Sequence, residues 1–275
     1  MYQIANLKKG VKVLLYGVLP LGFLSIFKKD SPELKYRKYF VKHGYTRHPY
    51  TFAQRYVEMP IEVFKDSSIG LQYVLHRSGQ KLYYPRSYDA AAIRKSYKAV
   101  LIEQDIQHPH HYVDSLDDFK GKVFLDIGTA EGFTSLDVVG VAEKVYMFEC
   151  DPRWIEALRA TFEPWKEKVT IIDKFVSSVC DEKRISLDDF FKDKPTENLF
   201  LKMDVEGAEC DVLNGSRQLF SKVRNINFAV CTYHRANDAK KIMNYLREYQ
   251  YTWSVPKDLF YIKHSFRICL LKNRN

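Results

Sequence analysis

Three apolar runs in this chain end in acidic residues. They are Val123-Phe124-Leu125-Asp126-Ile127-Gly128-Thr129-Ala130-Glu131-Gly132, Val145-Tyr146-Met147-Phe148-Glu149, and Leu201-Lys202-Met203-Asp204-Val205-Glu206-Gly207. An apolar run that stops at an acid and then a glycine is how a buried parallel strand delivers chemistry at its carboxyl end. Gly128 and Gly132 permit a tight turn and a close backbone approach. Glu149 follows that turn at about the 20-residue distance where a carboxylate grips ribose hydroxyls in Rossmann-like sites. The glycine spacing is not the dinucleotide fingerprint, and Glu131 would repel a pyrophosphate. A ligand with no phosphate and a positive centre fits better, and S-adenosylmethionine has both properties. The loop residues Asp126, Gly128, Thr129, Glu131, Gly132 and Phe133 are then expected at the methionine part of this donor, with Asp126 meeting its amine directly or through water. Glu149, with Cys150 beside it, is the ribose candidate, and Asp173 the adenine candidate. Asp126 as a mere turn cap and Asp173 as a solvated turn acid are the plainer alternatives.

The reaction itself is expected at Asp204, Glu206 and His234, the last just after the run Ile226 to Cys231. Methyl transfer is an in-line displacement, and an acceptor atom that carries a proton needs a base within hydrogen-bond reach to take it. Asp204 or His234 is the expected base, the other orienting it. The same Asp204, Glu206 and His234, with Glu209 nearby, could instead hold a divalent cation such as Mg2+. Glu206 and Glu209 could equally be helix-start acids facing a helix dipole. Glu103, Gln104, His110, His111 and Tyr112 precede the first strand, and His110 and Tyr112 are expected acceptor contacts.

The order of the glycine turn, Phe148-Glu149-Cys150-Asp151, Ile185-Ser186-Leu187-Asp188-Asp189-Phe190 and Lys202-Met203-Asp204-Val205-Glu206-Gly207-Ala208-Glu209 resembles the FkbM-type methyltransferases, from about residue 88 onwards. The resemblance implies a class I methyltransferase (Rossmann-like) fold: α/β, doubly wound, a mostly parallel seven-stranded sheet with an antiparallel final hairpin at its edge. It also implies S-adenosylmethionine as donor and O-methylation of a saccharide or other hydroxylated acceptor.

Strands and helices must alternate to place these residues, and from residue 121 they do. Strands are expected at 123–127, 145–149, 169–172, 199–203, 226–231, 251–254 and 267–271. Helices are expected at 134–141, 151–162, 208–220 and 236–249. Before them, Leu71 to Leu75 and Lys81 to Tyr84 read as a hairpin, followed by a helix from Tyr88. Three segments result: an arm over 1–47, an extension with hairpin and lid helix over 48–120, and a donor-binding domain over 121–275.

The 275 residues are 46% hydrophobic and 28% charged, ordinary for a globular chain. Five scattered cysteines without a Cys-x-x-Cys pair argue for reduced thiols in the cytoplasm. Residues 1–47 hold ten Lys and Arg against Asp30 and Glu33, a net of +8 out of the chain's +9. The catalytic region is therefore near neutral, which argues against a nucleic-acid substrate. An RNA methyltransferase fed by the basic arm is the alternative function, and a non-catalytic protein of the same fold a third. Within the arm, Val13 to Phe27 is apolar and lysine-flanked. As a helix it would reach about 22 Å, short of a hydrocarbon core of about 30 Å, and Pro20 weakens it. It is read either as a segment over residues 8–29 lying peripherally on the inner membrane face or as a helix packed on the domain. Oligomeric state leaves no trace in the sequence.

Overall fold

In the computed structural model, which describes residues 2–262 and 264–273, the chain opens with one long helix in three consecutive pieces. These are α1 (Tyr2–Val13), a π-helical turn (Leu14–Val18) and α2 (Leu19–Phe27). Then come α3 (Leu34–His43), a short α4 (Gln54–Val57) and a small antiparallel sheet of β1 (Phe64–Lys65), β2 (Gln72–Leu75) and β3 (Lys81–Tyr84). Helix α5 (Ala90–Glu103), capped by the Asp89 carboxylate on Ala92 N–H, leads towards the main sheet.

The expected alternation follows: β4 (Val123–Ile127), α6 (Phe133–Val138), β5 (Lys144–Phe148), α7 (Pro152–Phe162) and β6 (Val169–Ile172). A two-strand parallel insert, β7 (Phe175–Val176) with β8 (Arg184–Ile185), precedes α8 (Leu187–Phe190). The chain then runs through β9 (Leu199–Met203), α9 (Glu209–Asn214), α10 (Arg217–Lys222), β10 (Asn227–Cys231) and α11 (Asp238–Glu248). It finishes with a hairpin, β11 (Phe260–Ile262) and β12 (Ser265–Arg267), and β13 (Leu270–Lys272). The helix expected over 208–220 is thus two helices, broken at Gly215, where an added Cβ would lie 2.2 Å from the Ser177 carbonyl oxygen.

The main sheet has the order β13-β10-β9-β4-β5-β6, all parallel except β13. Alternate side chains of its strands feed two cores. Phe124, Val145, Met147 and Ala229 pack with α5, α6 and α7, while Leu125, Phe148, Leu201 and Phe228 pack with α8 to α11. The fold is therefore α/β and doubly wound, as expected, but the sheet has six strands among the described residues rather than seven. Tyr251 to Ser254 contributes one bridge, Ser254 to Lys272. The next ladder position is Pro256, which has no N–H to donate. The final hairpin also lies elsewhere: β11 and β12 pair only with each other, and Tyr261 and Phe266 pack against Tyr36 and Phe40 of α3.

The extension over 48–120 is built into the domain. Val74, Leu82, Tyr84, Ile93, Tyr97 and Tyr112 share one core with β4, β5 and β10.

Candidate active site

The chain passes outward along β4 to β5 and β6, then returns to the other side of β4 as β9. The carboxyl ends of β4, β5 and β9 therefore frame the crevice where this topology takes ligands. Gly128 stands at its base with φ +78, and an added Cβ would lie 1.9 Å from the Asp204 carbonyl oxygen. Its neighbour is therefore the end of β9, and only glycine lets the two strand ends close. Gly132 (φ +80) has another reason: a Cβ there would strike Phe162 and Leu158 of α7. Ala130, at φ +49, is held in left-handed backbone by the Glu149 carboxylate, which accepts its N–H at 2.7 Å and that of Asp151 at 2.8 Å.

Asp126 is buried and fully engaged. It accepts from the Ser135 hydroxyl at 2.7 Å and pairs with the Lys202 ammonium at 2.8 Å, while Lys202 also donates to the Gly128 carbonyl at 2.5 Å. Asp126 thus braces the glycine turn from behind. A lysine inside an otherwise apolar strand was the sequence signal for this brace, and the reading by strand ends passed over it.

Two cavities open on the crevice. One, of about 380 Å³, is walled by Glu149, Cys150, Trp154, Lys174, Phe175 and Val176; the other, of about 340 Å³, by Glu103, His110, Tyr112, Glu131, Lys202, Tyr233 and Phe260. Gly128, Ala130, Asp204 and Glu206 line both. Thr129 and Phe133 line the second cavity. Asp126, Gly132, Asp173 and His234 are in the wall of neither; Asp173 is exposed near Cys150, whose thiol feels its charge.

Asp204 is the residue on which the polar groups converge. Its Oδ2 accepts from the Tyr112 hydroxyl at 2.7 Å and its Oδ1 from that of Tyr233 at 3.4 Å. His234 Nε2 stands 3.4 Å from Oδ1, and His110 Nε2 3.7 Å from Oδ2. Burial works against the Asp204 carboxylate, but nearby positive charge, including Lys202 and His234, and the Tyr112 hydrogen bond hold its pKa below the ordinary value. Burial pushes His110 down to about 4, so it faces Asp204 as a neutral ring at pH 7.

His234 behaves oppositely. Burial opposes its charge, yet the hydrogen bond from Nδ1 to Glu209 at 2.7 Å and the Asp204, Glu209 and Glu206 carboxylates raise its pKa. Glu209, read from sequence as a dipole acid, is fully buried and also accepts from the Val205 and Gly207 N–H groups. It is the anchor of His234. Glu206 is exposed, with φ +54, and lies 3.5 Å from His234 Nε2.

On the second cavity, burial first, then the Asp204 and Glu131 carboxylates, push Glu103 up to about 8. Glu131, raised mainly by burial, sits at about 7. At neutral pH Glu103 is therefore largely protonated and Glu131 about half so.

Residues 125–252 match the family described as the Methyltransferase FkbM domain. Among solved structures, similarity extends to the methyltransferase FkbM from Methylobacillus flagellatus KT, with 19% identity and a TM-score of 0.45. That match covers 68% of this chain and 56% of that one, so it spans little more than half the relative's length. A precorrin-6y C5,15-methyltransferase from Geobacter metallireducens GS-15 is similar at 11% identity and a TM-score of 0.39, covering 57% of this chain and 82% of that one. The Streptococcus mutans protein SMU.1697c, solved in complex with SAH, is similar at 14% identity and a TM-score of 0.41, covering 57% and 95%. No curated protein matches the sequence. The stretch matched begins inside β4 and ends after α11, a narrower span than the resemblance from residue 88, and over it this chain is similar to the methyltransferase domains of the FkbM type.

Proposed function

We propose that the protein transfers the methyl group of S-adenosylmethionine to a hydroxyl of a saccharide or glycan precursor. The observation that carries this reading is the pair of cavities joined at Gly128, Ala130, Asp204 and Glu206. The adenosine part of the donor fits the first, with Glu149 at the ribose and Trp154 and Phe175 beside the base. Its sulfonium then lies at the junction and its amine towards Glu131. A hydroxylated acceptor enters the second cavity, where His110, Tyr112 and Tyr233 offer polar atoms.

As the acceptor oxygen attacks the methyl carbon, the sulfur–carbon bond breaks and S-adenosylhomocysteine leaves. The hydroxyl proton passes to Asp204, which lines the cavity, while His234 holds that carboxylate in place and is itself held by Glu209. On this reading Asp204, rather than His234, is the base. Asp204, Glu206 and His234 would be the residues to hold a divalent cation, since their ligand atoms lie within 4.8 Å of one another. The fit is poor: an imidazole must be neutral to bind a metal, and His234 is surrounded by carboxylates that favour its protonated form. Lys202 and His234 supply the compensating charge instead.

Incubation with labelled donor and fractionated cell-envelope glycans tests the reading. Asp204→Asn is expected to lower transfer by about 10²- to 10⁴-fold while donor binding persists. Full turnover by that variant, or label found only in RNA, would contradict it.

A further inference from the structure

Residues 2–27 form a helix, and from Lys8 onwards the domain covers it on one side only. Lys8–Phe27 is long and apolar enough to cross a membrane by length and composition, and almost none of it is buried. This corrects the shorter estimate from sequence: 20 helical residues extend about 30 Å, the thickness of a hydrocarbon core. Pro20 does not break the helix. The π-turn absorbs it, with Leu19 N–H reaching back to the Leu14 carbonyl. The Tyr16 carbonyl, which Pro20 leaves without its helical donor, accepts from Arg37 of α3 at 2.7 Å.

That contact decides how the helix can meet lipid. Its middle is docked on protein: Gly17 lies against Phe40 and Val41, where an added Cβ would come within 3.2 Å, and the Tyr16 ring stacks on His264 at 4.3 Å. A helix gripped at its midpoint by a folded domain cannot have that midpoint at the bilayer centre. The opposite side is open, with Leu14, Leu15, Leu19, Phe23, Ile26 and Phe27 between 47% and 69% exposed. Lys8 and Lys9 at one end and Lys28 and Lys29 at the other are exposed and unmatched by nearby acids in sequence except Asp30.

We infer that this helix lies in the plane of an anionic membrane surface, its open apolar side immersed in the acyl boundary and its terminal lysines on the headgroups. The anchor is linked to the second cavity through α3 and the β11–β12 hairpin. Helix α3 packs on Tyr261 of β11, and Phe260 of the same strand lines the second cavity. The inference stands on the arm alone and does not require the proposed reaction.

Co-sedimentation of the full chain with vesicles of phosphatidylcholine, alone or mixed with phosphatidylserine, tests it. Binding to the mixed vesicles, weakening with salt, is expected. Changing Lys8, Lys9, Lys28 and Lys29 to Gln should weaken it by roughly several hundredfold, at about fivefold per charge. Leu15→Glu with Leu19→Glu should abolish it without moving the thermal transition of the domain. For depth, Val11→Trp, Leu19→Trp and Phe23→Trp should each be quenched most by lipids brominated near the headgroup. Three results would overturn the inference: equal binding to both vesicles, deepest quenching at Leu19→Trp as a spanning helix requires, or concentration-dependent self-association in place of vesicle binding.

Discussion

At the scale of single residues, the site places its charges so that Asp204 stays ionised while Glu103 on the same wall does not. Asp204 keeps its charge beside Lys202 and His234, whereas Glu103, also on the second cavity, is pushed up to about 8 by burial and by the Asp204 and Glu131 carboxylates. A raised folded-state value stabilises the protein below the unfolded value of about 4.5, and that contribution is lost progressively as pH rises through 8. Glu103→Gln should therefore flatten the fall of stability between roughly pH 5 and pH 8 and leave the variant more stable than the parent at the upper end, by up to a few kcal/mol. Thermal melts across that range check it, and parallel curves for the two proteins would count against a buried, protonated Glu103. Asp204, Glu149 and the glycine turn were legible in the sequence because each ends an apolar run. Glu209 opens α9, as its reading as a helix-start acid requires, but that ordinary role hid a second one. Only the fold shows it buried against His234.

At the scale of elements, strands were more legible than their edges. The runs at 123–127, 169–172 and 199–203 form the expected strands because a buried parallel strand needs continuous apolar residues. The strand expected at 251–254 shrinks to one bridge, since pairing at the edge depends on where Pro256 interrupts the ladder, which periodicity alone does not encode. Helix interruptions were the least legible. Pro20 reads as a weak point, yet the π-turn absorbs it and Arg37 supplies the missing donor, while Gly17 makes the close contact with α3. Arg37→Ala should therefore loosen the docking of the arm by about 1–3 kcal/mol, the cost of an unpaired buried acceptor. Limited tryptic cleavage after Lys28 or Lys29 should then speed by roughly 5- to 100-fold if local opening governs it. An unchanged cleavage rate would mean the carbonyl of Tyr16 does not hold the arm.

At the scale of the molecule, three segments read as separate in sequence join into one machine. The arm docks on α3, α3 on the β11–β12 hairpin, and the hairpin on the second cavity, while the extension over 48–120 supplies Glu103, His110 and Tyr112 to the same wall. Composition placed the positive charge in the arm but could not show that the arm is open on one side and packed on α3 and His264 on the other. The account rests on donor binding in the cavity beside Glu149, and calorimetric titration with S-adenosylhomocysteine measures that directly. The parent protein should bind one equivalent, Asp204→Asn should bind with similar affinity, and Glu149→Ala should bind at least about tenfold more weakly through the loss of charged hydrogen bonds. No heat of binding in the parent protein, or an affinity indifferent to Glu149→Ala, would contradict it.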